Sequence, residues 1–577
     1  MKIARITLLV TTGLLALAAC KREEPAVTAT ADANPLLAYV PGDTPYLAAN
    51  LEPTPKDVVD AYLERFQPTF EMIQAMLDDL QLEIHSDGSA EMQQAALMAA
   101  VVNELDGKLN RAGLESLGLS LESHKAFYGM GVFPFARVAL ADAEALRAAI
   151  GRVEAEAGMV FPETTSGSAS YYRLSGDDHP MGIYIAILPD HMAMGVFPTS
   201  LEDELLPNLL AQSQPNDGFD AGSALAEMNV DKGFLGYGSG FFDFRRIGAE
   251  IMLPESRTNR GLRDIEQFQT PSFDAGCVAE IGSLIDKAPR MVMGTTELTA
   301  NAIGIKYQLE MEEALADALT GLVSDVPPAA RDGGDLMDAS LAIQAGRLRA
   351  FLLEQAMAYA SNPFECDRLQ ALNQSANQAL EQMNQPLPPF IGNLNGLRIR
   401  LQEVDFNQPA PETSRGLVVL EVEKPQMLVG SAQMLIPGLE NLELEPGSDP
   451  VEVPQELMTL AVDGMHVHAV MSKDALGISM GENQAEQLMG FLEADADNGG
   501  AFFSVEYDMA AQMQWQQTMS GAASDHSGEE GATAEAQEMM DLLNEMEQSY
   551  RDMLGRTRLE LRFVPDGFEI HNRMTFN

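Results

Sequence analysis

The sequence predicts an α+β fold: two similar repeats of antiparallel sheet with packed helices, after a cleaved signal and a flexible tether. Three observations predict it. At 577 residues the chain exceeds what one ordinary core organises, since domains run to about 100–200 residues. Short alternating apolar runs come in hairpin order with helical stretches between them, which suits antiparallel sheets rather than a doubly wound parallel one. The same succession of strands and helices then occurs twice. With 46 % hydrophobic residues and no dominant charged low-complexity block, the composition is that of a folded chain.

Residues 1–19 read as an export signal. Lys2 and Arg5 make a positive start, Ile6 to Leu17 is apolar, and the small Ala18 and Ala19 precede Cys20. The apolar stretch is too short for a membrane span. Leu17-Ala18-Ala19-Cys20 resembles the lipobox of bacterial lipoproteins. The resemblance implies that the Cys20 thiol receives a diacylglycerol, that cleavage makes Cys20 the first mature residue, and that the new N-terminus is acylated. Lys21 stands where an Asp commonly retains such proteins in the inner membrane, so the resemblance implies the outer membrane, facing the periplasm. The implied partner is the membrane, held through several acyl chains at ~0.8 kcal/mol per buried CH₂. Residues 20–35 are Pro/Ala/Thr-rich without hydrophobic periodicity, and read as the lipidated Cys and a flexible tether. No later stretch reaches about 18 uninterrupted apolar residues.

Residues 36–323 form the first expected repeat, 324–335 (SDVPPAARDGGD) a Pro/Gly-rich linker, and 336–577 the second repeat. In the first, Val132 to Leu140 alternates as a strand and Asp142 to Glu156 reads as a helix. In the second, Gly416 to Glu423 and Lys424 to Ile436 follow in that order. Residues 182–196 and 466–480 each read as a hairpin, with helices behind them at Thr199–Gln212 and Glu482–Glu493. Residues 234–244 correspond to 502–509, and 297–311 to 558–576, where Asp566-Gly567 signals a turn. The starts agree too, 45–51 with 336–343. Val40-Pro41-Gly42-Asp43-Thr44-Pro45-Tyr46 faintly resembles the start of uncharacterised bacterial envelope proteins, a resemblance that implies no activity. Residues 521–533 read as a polar, Gly-rich insertion.

Charge excludes some functions. With 36 Lys+Arg against 86 Asp+Glu the chain carries −50, and nucleic-acid binding needs clustered cations to displace counterions. An anionic lipid surface would also repel this body unless something covalent held it there. Of three cysteines, acylation of Cys20 leaves Cys277 and Cys366. In an oxidising compartment that pair reads first as a disulfide, the alternative being two buried, unpaired thiols. No C-x-x-C spacing supports redox catalysis.

Candidate chemistry is sparse. His466-x-His468 places two imidazoles on one strand face, with Met465 and Met471 near, as a copper site would. No third ligand is identified by spacing, and an exposed strand face is the favoured reading. Asp495, Asp497, Gly500 and Glu506 fit positions of a calcium loop, yet Gly499 and Phe503 occupy two ligand positions, so a plain turn is favoured. Gly238-Ser239-Gly240 lacks the glycine spacing of a nucleophile elbow, since Tyr237 and Phe241 flank it. Gly236, Gly238 and Gly240 do not form a phosphate cradle either. No catalytic residue, metal or cofactor is therefore expected. The favoured function is a lipid-anchored, periplasm-facing envelope protein that binds a partner or acts as a scaffold. The alternatives are a carrier or sensor of an apolar ligand, and a hydrolase with no sequence-local motif.

Overall fold

The computed structural model describes residues 34–69, 91–174, 179–215, 218–263, 272–330, 333–385, 390–404, 414–435, 442–454, 465–494, 499–513 and 553–577, with a few single residues between them. The signal, Cys20, most of the tether, the 521–533 insertion and the Asp495–Asp497 turn lie outside the described residues. The fold is α+β. Two compact units divide the chain. One holds the described residues to Asp274 and Pro289–Tyr307; the other holds Ala275–Ala288 and the described residues of 308–513 and 554–577.

The strands of the first unit are β1 (Tyr46–Ala49), β2 (Lys125–Met130), β3 (Phe133–Ala139), β4 (Glu163–Ser166), β5 (Ala169–Arg173), β6 (Met181–Ile187), β7 (His191–Pro198), β8 (Ser239–Asp243) and β9 (Arg290–Thr299). Next to β9 lies β10 (Ala302–Glu310), which begins in this unit. They lie side by side in the order β4-β5-β6-β7-β3-β2-β1-β8-β9-β10. In β3, Phe133, Phe135 and Arg137 share the buried face because alternate residues point the same way. Buried Leu205 and Leu209 of the helix Glu202–Leu209 join Phe135 and Phe197 in the core beneath. Rings stack from Tyr128 to Phe135 (5.6 Å), to Phe197 (5.5 Å) and to Tyr184 (4.2 Å). Gly195 lies in that layer because a Cβ there would sit 3.1–3.3 Å from Phe197, Phe135 and Leu209. After β3, Asp142 starts the helix Ala143–Ala157 by accepting from the Glu144 and Ala145 amides, and Gly158 ends it at φ 65°.

The second unit contains β11 (Met337–Leu341), β12 (Leu394–Val404), β13 (Ser414–Val422), β14 (Val451–Glu452), β15 (Val467–Met471), β16 (Ala475–Met480), β17 (Ala501–Asp508), β18 (Leu554–Val564) and β19 (Gly567–Phe576). Their order is β14-β15-β16-β13-β12-β11-β17-β18-β19. Element for element this is the order of the first unit, with β14 standing where β4 and β5 stand. The helices Pro425–Leu435 and Gln484–Leu492 occupy the chain positions of Ala143–Ala157 and Glu202–Leu209. Leu488 and Phe491 cover Leu417, Val419, Val470 and Ala475, a much smaller apolar core than that of the first unit.

Residues 324–330 of the Pro/Gly segment pack within the second unit. Val326 and Ala329 are buried. Ser324 Oγ donates to the Asn395 carbonyl, Ser340 Oγ to the Pro327 carbonyl (2.7 Å), and the Ala329 amide to Ser504 Oγ (2.7 Å). The segment therefore crosses β12, β11 and β17 in turn. Pro327 and Pro328 suit that path because they have no amide hydrogens to leave unpaired in a buried position. The same composition that reads as a connector also makes a buried strap.

Cys277 and Cys366 form a disulfide, with S–S 2.00 Å and Cα atoms 4.8 Å apart. Nearby, Glu280 accepts from the Glu365 and Cys366 amides at 2.9 Å each. Those two contacts and the disulfide fix the helix Ala275–Lys287 to the second unit.

Candidate functional site

The strongest polar constellation lies on the covered face of the second sheet. Asp338 on β11 is directly opposite Arg400 on β12 and Glu506 on β17, and Glu506 is opposite Arg558 on β18. Strand alternation adds Arg556, Glu560 and Arg562 to the same face of β18. Arg400 Nε donates to Asp338 Oδ2 (2.9 Å) and lies 3.3 Å from Asp335. Glu506, 2 % exposed, binds Arg556 Nε at 2.9 Å and Arg558 Nη1 at 3.3 Å. Arg558 Nε donates to Glu560 Oε1 (2.6 Å), whose other oxygen is held by Arg562. Arg558 also donates to the carbonyls of Ala329 (3.1 Å) and Ala330 (3.0 Å), completing the strap's crossing.

Burial alone would raise the Glu560 carboxyl. The Arg562 hydrogen bond and the charges of Arg558 and Arg562 outweigh it and bring the group down to about 2. Asp335 goes the other way, because burial and its neighbours Asp338 and Glu506 exceed the pull of Arg400. Each named carboxylate has an arginine partner, and a guanidinium holds its proton throughout the physiological range. The carboxylates of the ladder are thus engaged in ion pairs across the sheet. What the ladder does is hold sheet and strap together.

The first unit has a second knot, built around Arg137, whose side chain is 1 % exposed. Its Nε donates to Tyr128 Oη (3.1 Å), its Nη2 to the Asn208 carbonyl, and its plane lies 3.9 Å from the Tyr39 ring. Nη1 meets His191 Nε2 at 2.6 Å, and His191 Nδ1 meets Asp190 Oδ1 at 2.8 Å. No carboxylate pairs with Arg137 among the described residues.

The residues singled out by sequence are scattered. His466 is exposed and 3.0 Å from Glu452, while His468 has no hydrogen-bond partner for its Nδ1. Among the described residues no group of three or more His, Cys, Asp or Glu could hold a metal ion. Glu506, the last position of the calcium-loop pattern, is committed to Arg556 and Arg558 on β17. Ser239 opens β8, buried and without a hydrogen-bond partner for its hydroxyl. Arg137, His191, Asp338, Arg558 and Glu560 were not among those residues. Their signal is a charge at an inward position of an alternating strand, as in Phe133-Pro134-Phe135-Ala136-Arg137. Among the described residues no helix is long and apolar enough to cross a membrane. No protein-family model, curated protein or solved structure matches the chain.

Proposed function

We propose that this chain is a lipid-anchored, periplasm-facing envelope protein that works by binding or scaffolding rather than by catalysis. The observation that carries the reading is the Cys277–Cys366 disulfide. Such bonds persist in oxidising compartments, and this one leaves Cys20, the residue of the lipobox-like Leu17-Ala18-Ala19-Cys20, as the one cysteine of three outside it. The ion-paired ladder supports a structural rather than a chemical use of the buried charges. The matching strand orders support the reading of the chain as two similar repeats. Labelling with radioactive palmitate tests the anchor: label and membrane recovery should both be lost in Cys20→Ala. Retention of both in that variant would overturn the proposal.

A second reading, a carrier of an apolar ligand, is favoured by the other face of the second sheet. Leu561, Phe503, Leu341, Leu397, Leu420 and Leu476 stand in one cross-strand row. They are half-buried apart from Leu341, which is 40 % exposed. Saturable binding of a fluorescent fatty acid, weakened by Leu397→Glu, would support this reading, and absence of binding would remove it.

A further inference from the structure

We propose that His191 is a proton-operated latch that holds the Tyr39 end of the first described segment against the first unit. The segment enters as a 3-10 turn, Pro35–Tyr39, and it is held at two ends. At its start, Asn34 Nδ2 donates to the carbonyls of Asn50 (2.8 Å) and Lys125 (3.1 Å), and Leu36 and Leu37 are buried. At its other end, Tyr39 lies on the Arg137 guanidinium, and its carbonyl accepts from Asn208 Nδ2 at 2.9 Å. Arg137 in turn holds the Asn208 carbonyl. The Tyr39 end therefore depends on where Arg137 sits.

His191 fixes that position only while neutral. A guanidinium has donors and no acceptor, so His191 Nε2 must supply a lone pair and Nδ1 must carry the proton it donates to Asp190. Protonation at Nε2 replaces the acceptor by a donor and sets two cations 2.6 Å apart. The charged or titratable groups facing the ring are Arg137 on β3, Asp190 just before β7, Tyr39 on the entering turn and, through Arg137, Tyr128 on β2. Only Asp190 favours the imidazolium, and its side chain is 78 % exposed, so water screens it. Burial first, then Arg137, hold the His191 pKa below its ordinary value. An open state with an ordinary histidine takes up the proton more readily. The latch is therefore closed above about pH 6.5 and weakens as pH falls below it. Asn34, Leu36 and Leu37 stay in place, so opening is confined to the Tyr39 and Asn208 ends.

Amide hydrogen exchange on the full chain at pH 7.5 and 5.0, corrected for intrinsic rates, tests this. In the wild type, protection of the Val40 and Leu210 amides should drop severalfold at pH 5.0, because the open state takes up the proton more readily. His191→Gln can offer Oε1 to Arg137 at either pH and should show less than a twofold drop. An equal drop in both proteins, or none in the wild type, overturns the latch. Should the variant fail to fold, ring-nitrogen NMR of wild-type His191 decides. A titration below the ordinary value with the proton on Nδ1 supports the latch; a titration at or above that value, or the opposite tautomer, refutes it.

Discussion

Arg558 on β18 reaches Ala329 of the proline-containing strap, donating to its carbonyl from both Nη1 and Nη2 at 3.1 Å. One guanidinium thereby satisfies the strap's backbone while neutralising Glu506 and Glu560. Arg558→Met would leave two buried carboxylates short of a partner and the Ala329 carbonyl unpaired. Breaking one side of a buried ion network costs about 3–5 kcal/mol. Denaturant unfolding followed by exchange of peptides from 324–330 and β17 should report a loss of that size, centred on the second unit.

Glu560 also sets an acid limit. Its folded pKa of about 2 lies below the ordinary carboxylate value near 4.3, so its contribution is complete above that value and is lost as pH falls towards 2. The gap of somewhat over two units corresponds to about 3 kcal/mol. Glu560→Gln should flatten the stability profile of the second unit between pH 4.5 and 2, which urea titrations at several pH values will show.

The disulfide closes a loop of 89 residue steps. Chain entropy sets an upper figure of ~4.5 kcal/mol for such a loop, with 2–4 kcal/mol typical. Reduction, or the double change Cys277→Ser with Cys366→Ser, should loosen the Cys277 end of the helix Ala275–Lys287 first, since Glu280 still accepts from the Glu365 and Cys366 amides and the Glu312 amide still donates to the Lys287 carbonyl. Thiol titration of denatured, unreduced protein should find neither sulfur reactive.

Phe197 sits between Phe135 and Tyr184 in the ring stack of the first unit. Phe197→Ala should cost about 3–5 kcal/mol through lost burial and the cavity left behind. Thermal unfolding watched by tyrosine fluorescence and by exchange in β6 and β7 should locate the loss in the first unit.

Much of the architecture was legible in the sequence. The hairpins 182–196 and 466–480 and the helices behind them correspond to β6–β7, β15–β16, Glu202–Leu209 and Gln484–Leu492, because their alternation and helical periods are unbroken. Strands β2 and β12 were less visible: Lys125–Met130 is short, and in Leu394–Val404 the inward positions carry Arg398 and Arg400, which blur an apolar alternation. The burial of the strap was not legible, since Pro327 and Pro328 mark a loop locally while the partners that bury it, Ser340, Ser504 and Arg558, are distant in the chain. The disulfide was one of two open readings of Cys277 and Cys366, because pairing depends on tertiary proximity. The Arg137–His191 contact joins β3 to β7 across 54 positions, and no local pattern announces it.

The proposed lipid anchor is tested most directly by mass spectrometry of the N-terminal peptide of the protein recovered from the membrane fraction of a bacterial host. The expected peptide begins at Cys20, carries a thioether-linked diacylglyceryl group and is acylated on its amino nitrogen. A peptide that begins at Met1, or one that begins at Cys20 with an unmodified sulfur, would contradict the proposed anchor.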